Sequence, residues 1–433
     1  MKTPNPDAPA RWQQCASCDL RLEELDPRTQ CPGCGGLLDV MFHLPPGRGA
    51  GLCREFDSRT NVAGSAADVS GVWRYRELVM HAPAATIVSF PEGNTPLITN
   101  DRVAAWTGCA GLRLKHEGLN PTGSFKDRGM TVGVTQARRV RALAVACAST
   151  GNTSASLGAY AALAGLPALV LVPAGQVASG KLHQTLAYGA RTLAVRGDFD
   201  ACLALVRDTA QKFGVYLLNS VNPWRIEGQK SIVFELLQQL GWNAPDWIAL
   251  PAGNLGNTAA FGKALDEARR VGLIDRVPRL LAVQASGAAP FFQSFTTGFT
   301  ERQSVKAETV ATAIRIGDPA SWDRGVRAIR LTNGVVASVP DESIIEAQRV
   351  VGNSGIGCEP ASAASVAGIR AAIHGGLIGP DETVVAVLTG HLLKDPLASA
   401  ALPAERHYAN TPVEVDATAT DIERELALLT SSR

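Results

Sequence analysis

From about residue 110 onward, short aliphatic or β-branched runs alternate with longer Ala-rich segments of helical period. The runs are Leu112–Lys115, Ala142–Cys147, Ala168–Val172, Thr192–Val195, Val215–Leu218, Trp247–Leu250, Leu280–Val283 and Val384–Leu388. Strands alternating with helices indicate parallel sheets covered by helices on both faces, so the fold class expected is α/β. Three polar, Gly-rich segments sit just past strand ends: Thr150-Gly151-Asn152, Gly253-Asn254-Leu255-Gly256-Asn257 and Thr389-Gly390-His391. Open α/β sheets bind ligands in the crevice beyond their strand C-termini, so these loops are expected to converge on one site.

Residues 1 to about 70 follow a different pattern. Four of the nine cysteines fall between positions 15 and 34, and the Gly/Ala/Ser-rich stretch Val62–Gly71 reads as a linker. At the other end, Val415–Leu429 reads as a charged helix of unassigned purpose. A chain of 433 residues exceeds one ordinary core, which points to two larger domains and a small module.

Composition narrows the function classes. The chain is 46% hydrophobic and 19% charged, as expected of a folded protein. With 41 basic and 40 acidic residues, the net charge of +1 provides no long-range attraction to nucleic acid or an anionic membrane. Met1–Asp7 lacks the apolar core of a signal peptide, and Leu163–Val172 is interrupted by Gly165 and Pro167, well short of the roughly 20 residues of a membrane span. Nine dilute cysteines, an odd number, fit reduced thiols in a cytoplasmic protein.

The segment Asn120-Pro121-Thr122-Gly123-Ser124-Phe125-Lys126-Asp127-Arg128-Gly129 carries the first candidate chemistry. Ser124 or Thr122 can cap a helix that starts near Phe125 and runs to Arg139. Lys126 then lies in the first helical turn, where the dipole disfavours a cation and lowers its pKa, as a nucleophilic amine requires. A solvated lysine paired with Asp127 explains the local motif equally well. The Gly253–Asn257 loop precedes a helix expected over Ala259–Arg269, and suits a phosphate held by backbone N–H groups. An ordinary strand-to-helix turn is the alternative there. Ser149–Ser156 offers up to five hydroxyls and an amide as a carboxylate cradle, or a plain N-cap with spare serines.

Five segments occur in order: Glu92–Leu97, Thr122–Gly129, Ser149–Ser156, Gly253–Asn257 and Thr389–His391. Together they resemble the fold-type II pyridoxal phosphate (PLP) enzymes, the tryptophan synthase β-like group, and within it the threonine synthases. The likeness covers roughly residues 70 to 400. It implies two open parallel-sheet domains preceded by a zinc-ribbon-like module. The boundaries are 1–70 for module and linker, 71–118 plus 222–405 for a larger PLP-binding domain, 119–221 for a smaller domain carrying Lys126 and the Ser149–Ser156 loop, and 406–433 for a tail.

The resemblance also implies roles. Lys126 carries PLP as a Schiff base and then transfers protons. Asn152 bonds the cofactor's 3′-oxygen, Gly253, Asn254, Leu255, Gly256 and Asn257 hold its phosphate, and Thr389 faces the pyridine nitrogen. Ser149, Thr150 and Thr153 grip a substrate carboxylate. Ser220 and Arg225, five residues apart, match the pair that binds a substrate phosphate, with Asn254 nearby; a surface Arg225 paired with Glu227 is the alternative. Glu359-Pro360-Ala361-Ser362 is similar to family sequence near the ring, with no role assigned. The activity implied is conversion of O-phospho-L-homoserine and water to L-threonine and phosphate, by a cytoplasmic homodimer acting on a small molecule. Competing activities are threonine or serine dehydration, cysteate synthesis from phosphoserine, or a non-catalytic zinc-ribbon protein on a degenerate scaffold.

Cys15-x-x-Cys18, twelve residues, then Cys31-x-x-Cys34 has metal-ligand spacing. Four thiolates on two tight knuckles close a tetrahedral structural zinc site. Two disulfides or a redox pair use the same residues.

Overall fold

A computed structural model describes residues 11–44, 47–61, 66–174, 182–197, 199–395 and 414–431. Met1–Asp7 and the first part of Val62–Gly71 lie outside these. The chain opens with an antiparallel sheet of β1 (Arg11–Cys15), β2 (Arg21–Glu23) and β3 (Leu38–Phe42), ordered β2-β1-β3. It then lays down β4 (Leu97–Ile98) and β5 (Leu112–His116) before leaving for a second sheet. That sheet contains β6 (Ala144–Ala148), β7 (Ala168–Pro173), β8 (Arg191–Val195) and β9 (Val215–Leu217), parallel throughout in the order β8-β7-β6-β9. The chain returns with β10 (Trp247–Pro251), β11 (Arg279–Ala285), β12 (Val335–Val339) and β13 (Val384–Leu388). These join β5 and β4 in a six-stranded sheet, β12-β11-β10-β13-β5-β4, in which only the β4–β5 pair is antiparallel.

The helices that shape the site are α1 (Lys126–Arg139), α2 (Asn152–Ala164), α3 (Pro223–Gln239), α4 (Gly256–Val271), α5 (Trp322–Leu331) and α6 (Pro360–His374), with a terminal α7 (Ala419–Ser431). All eight runs expected as strands are strands, within two residues at each end. β12 escaped notice because Ser338 interrupts its apolar run. Among the described residues no helix is long and apolar enough to cross a membrane.

Three expectations need correction. The N-cap of α1 is Phe125, without a side-chain bond, and Thr122 does not cap it; Ser124 Oγ accepts only a long bond from Lys126 N, 3.4 Å. The Asp127 carboxylate instead reaches backward and accepts from Thr122 N at 2.7 Å and Thr122 Oγ1 at 2.6 Å. The α4 helix starts three residues earlier than expected, because Leu255 at φ 61° turns the chain directly into it. The described part of the supposed linker is not a tether. Ala66–Val69 is a short helix, and Ser70 is fully buried. A Cβ on Gly71 would lie 2.1 Å from Glu235 Oε2, so the backbone approaches the core as only glycine permits.

That core contains a buried charge cluster. Arg128 donates to Glu117 through Nε (2.7 Å) and Nη2 (2.8 Å), and to Glu235 Oε1 at 2.7 Å. Lys115 Nζ lies 2.6 Å from the same Glu235 oxygen, and Arg128 Nη1 donates to Gly71 O at 3.0 Å. All four charged side chains are at most 1% exposed. Burial alone would raise the pKa of Glu235, but Arg128 and Lys115 hold it well below the ordinary carboxylate range. The cluster ties α1 to α3 and β5. A second cluster, with Lys230 2.5 Å from Glu267 and Lys263 bonded to Glu227 and Val40 O, fastens β3 to α3 and α4. Asp39 on β3 also pairs with Arg324 (2.8 Å) and Arg327 (2.7 Å) of α5.

Removing one member leaves an uncompensated buried charge, so Arg128→Met is expected to cost about 3–5 kcal/mol. The exposed Lys212–Asp208 pair is the control: Lys212→Ala is expected to cost about 0.5 kcal/mol or less. Urea denaturation of both variants checks the difference.

Candidate active site

A cavity of about 660 Å³ lies where the strand-end loops of the two parallel sheets meet. Lys126 lies in its wall at the first position of α1. Backbone bonds join the Lys126 turn to the end of β13: Phe125 N donates to Thr389 O at 3.0 Å, and His391 N to Gly123 O at 2.9 Å. The Lys126 and Thr389 motifs, more than 260 residues apart in sequence, are therefore one local structure.

Lys126 Nζ sits 4.1 Å from the centre of the Phe125 ring and has no carboxylate within ion-pair distance among the described residues. Asp127 is occupied by Thr122 and by Ser156 Oγ at 2.6 Å, so the solvated Lys126–Asp127 pair is not formed. Burial, and then the charge of Arg225, push the Lys126 ammonium down to about 7, with Glu359 partly opposing. Burial holds Asp127 up at about 6 despite its hydroxyl partners.

Every expected cofactor and substrate residue but one lines this cavity. Ser149, Thr150, Asn152 and Thr153 come from the turn between β6 and α2. Ser154 and Ser156 do not; both are fully buried and bonded elsewhere, to Gly151 O and Asp127. Gly253, Asn254, Leu255, Gly256 and Asn257 present the N-terminus of the 16-residue α4. Asn254 Oδ1 accepts from Ala320 N at 3.1 Å, which leaves its amide N–H groups for a ligand. Thr389 directly follows β13, its Oγ1 3.0 Å from Ser362 Oγ.

Ser220 lines the cavity; Arg225 does not. Asn222 caps α3, accepting from Trp224 N and Arg225 N, and Pro223 sets the first turn. This turn carries Arg225 under α1, fully buried, with Nη1 donating to Leu218 O at 3.0 Å. Its Nε and Nη2 have no partner among the described residues. Glu227, the alternative partner, is taken by Lys230 and Lys263. Burial lowers the Arg225 guanidinium to about 10. A buried cation with free donors and no carboxylate calls for an anion from outside.

The sequence comparisons agree with this geometry. A family model described as pyridoxal-phosphate dependent enzyme matches residues 88–390. Threonine synthase of Methanosarcina acetivorans is 46% identical over 390 residues, 88% of this chain and 92% of that one. Threonine synthase of Mycobacterium leprae is 48% identical over 348 residues, 80% and 93% of the two chains. This chain belongs to the threonine synthase family of PLP-dependent enzymes. The crystal structure of threonine synthase from Escherichia coli superimposes with a TM-score of 0.65 over 96% of this chain and all of that one; at 18% identity it speaks for the fold alone.

The cavity of this threonine synthase suits PLP on its own observations. It supplies an amine near neutrality, a helix N-terminus for a phosphate and polar groups for a ring edge. Asn257 Oδ1 and Gln229 Oε1 are buried in its wall without partners among the described residues. Sequence reasoning missed Gln229, Arg207, Arg315 and Lys394 in that wall, and left Glu359 without a role. Only the Glu-Pro at the start of α6 hinted at the last.

Outside the lining of this cavity, the Sγ atoms of Cys15, Cys18, Cys31 and Cys34 all lie within 4.8 Å of one another. Four sulfurs about 2.3 Å from a tetrahedral zinc are separated by about 3.8 Å. A Cβ on Gly36 would lie 3.1 Å from Cys15 Sγ and 3.2 Å from Cys34 Sγ, so the knuckle is shaped around the sulfurs. The donor set fits a metal.

The amine at position 126 sets a pH profile. A group near 7 is mostly protonated at about pH 6 and mostly free at about pH 8, so imine formation with added PLP is expected to speed up about tenfold across that range and then level off. An ordinary lysine would continue to gain above about pH 9. Stopped-flow absorbance of cofactor-free protein mixed with PLP checks this.

Proposed function

We propose that this threonine synthase converts O-phospho-L-homoserine and water to L-threonine and phosphate. The observation that carries the choice of a phosphorylated substrate is Arg225: a buried guanidinium with two free donor atoms, close enough to Lys126 to lower its pKa.

Bound PLP supplies the electron sink for charge left when protons leave the substrate carbons. Lys126, half-buried and near neutrality, removes and returns those protons. Ser149, Thr150 and Thr153 orient the substrate carboxylate. The α4 N-terminus, from Gly253 to Asn257, takes the cofactor phosphate. Ser220, Arg225 and the free amide of Asn254 receive the substrate phosphate and stabilise its charge as it departs. Because Arg225 sits behind the cavity wall, its side chain must reorient toward the Ser220 loop to meet the phosphate; closure of the site on substrate also excludes water early in the reaction. Thr389, a hydroxyl, turns its one hydrogen from Glu359 to a neutral ring nitrogen, which favours elimination and addition over transamination.

The same reading extends to assembly. We assign zinc to the four-cysteine cluster, where it stiffens the module that β3 docks on α4 and α5. The division proposed is 1–70, 71–118 plus 222–405, 119–221 and 406–433, supported by the separation of the three sheets. The homodimer rests on the family alone. Cytoplasmic location is supported by the five cysteines outside that cluster, which are unpaired.

Phosphate release is expected from O-phospho-L-homoserine with threonine in equal amount, and not from O-phosphoserine. Arg225→Leu is expected to keep the bound-cofactor absorbance while losing about a hundredfold in kcat/KM, near 2.7 kcal/mol, as for loss of one partner of a buried charge pair. A loss of less than about twofold would remove Arg225 from substrate binding. Metal analysis is expected to find about one zinc per chain.

A further inference from the structure

Glu359 ends the loop before α6, yet its side chain does not cap that helix. It turns into the cavity wall and is 2% exposed. Its Oε2 and Oε1 accept from Asn152 Nδ2 at 3.1 and 3.4 Å, and Oε1 accepts from Thr389 Oγ1 at 3.4 Å. The backbone is fitted to this placement. Glu359 N donates to Gly390 O at 3.0 Å, and a Cβ on Gly390 would lie 2.4 Å from Glu359 Oε1. Among the described residues no cation comes within ion-pair distance of the carboxylate; Lys126 and Lys394 act on it from farther away, and Asp395 opposes them.

A buried carboxylate without an ion pair costs stability, so its presence calls for a gain elsewhere. That gain lies in Asn152. A carboxamide has two N–H donors and one oxygen, and nothing in its shape distinguishes the two ends. With Glu359 accepting one N–H, the amide is fixed nitrogen-first and its second N–H is free. Flipped, it would aim its oxygen at whatever oxygen the ligand presents there.

We propose that Glu359 is a positioning residue for the cofactor ring, holding one N–H of Asn152 so that the other meets the ring's 3′-oxygen. This rests on the reading of the cavity as a PLP site. Burial raises the pKa of Glu359, and the bond from Asn152 works against that rise.

The test uses the full chain freed of cofactor and titrated with PLP, followed by absorbance and by intrinsic fluorescence. Glu359→Ala is expected to weaken PLP binding about tenfold and to shift the balance of its absorbance bands. Glu359→Gln keeps an acceptor oxygen, and is expected to stay within about threefold of the parent in affinity and to keep its spectrum. In an Asn152→Ala background, adding Glu359→Ala is expected to change affinity by less than about twofold, because the residue acts through Asn152. Parent-like affinity and spectrum in Glu359→Ala would overturn the inference. So would a Glu359→Ala effect that persists at full size without Asn152. A parent protein that forms no visible band with PLP would instead remove the cofactor reading itself.

Discussion

Three consecutive ionisable residues, Lys126, Asp127 and Arg128, are drawn out of water at the start of one helix, and the protein meets the cost of each differently. Arg128 meets two carboxylates and stays charged; burial alone would lower its pKa, but Glu117 and Glu235 raise it. Asp127 is given hydroxyls and a backbone N–H, which favour its ionised form and hold the rise from burial to about 6. Lys126 has no carboxylate within ion-pair distance among the described residues, and burial and Arg225 bring its ammonium down to about 7 despite Glu359. The strong clamp two residues away fixes α1 so that the unpaired amine can remain unpaired.

The same economy governs the rest of the cavity. The six-stranded sheet supplies the β10 and β13 loops, and the four-stranded sheet supplies the turn after β6 and Ser220 after β9. Backbone bonds from Phe125 N to Thr389 O and from His391 N to Gly123 O carry the Lys126 turn onto the large sheet. Two groups are then left electrostatically incomplete: an amine in the wall that titrates near 7 and, behind the wall, a guanidinium that lacks an anion. An aldehyde-bearing cofactor answers the first, and a phosphorylated substrate the second. Asn152, held by Glu359, stands between the loops from the two sheets.

Much of this could be read in the sequence, for physical reasons. Parallel strands buried on both faces must be short apolar runs, which is why the identified strands other than the exposed edge strand β8 stood out. Cysteine knuckles are local, so their spacing alone brings four sulfurs together. Lys126 was marked by its place at a helix start, a local property, although the bland alternative with Asp127 survived until Thr122 and Ser156 were seen to occupy that carboxylate. What could not be read depends on partners distant in sequence. The depth of Arg225 is set by the packing of α3 under α1. Gly71 looked like linker because nothing nearby in the chain announces that Arg128 and Glu235 close around it. Glu359 has the sequence of a helix start, and only the fold turns its side chain toward Asn152, 207 residues away.

The central claim is that position 126 holds the unpaired amine around which the site is built. It is tested most directly by loading the protein with PLP, reducing it with borohydride and mapping the modified peptide by mass spectrometry. The expected result is one pyridoxyl group per chain, on Lys126, with loss of the visible band. Modification of Lys394, which lines the same cavity, or label scattered over surface lysines, would contradict it.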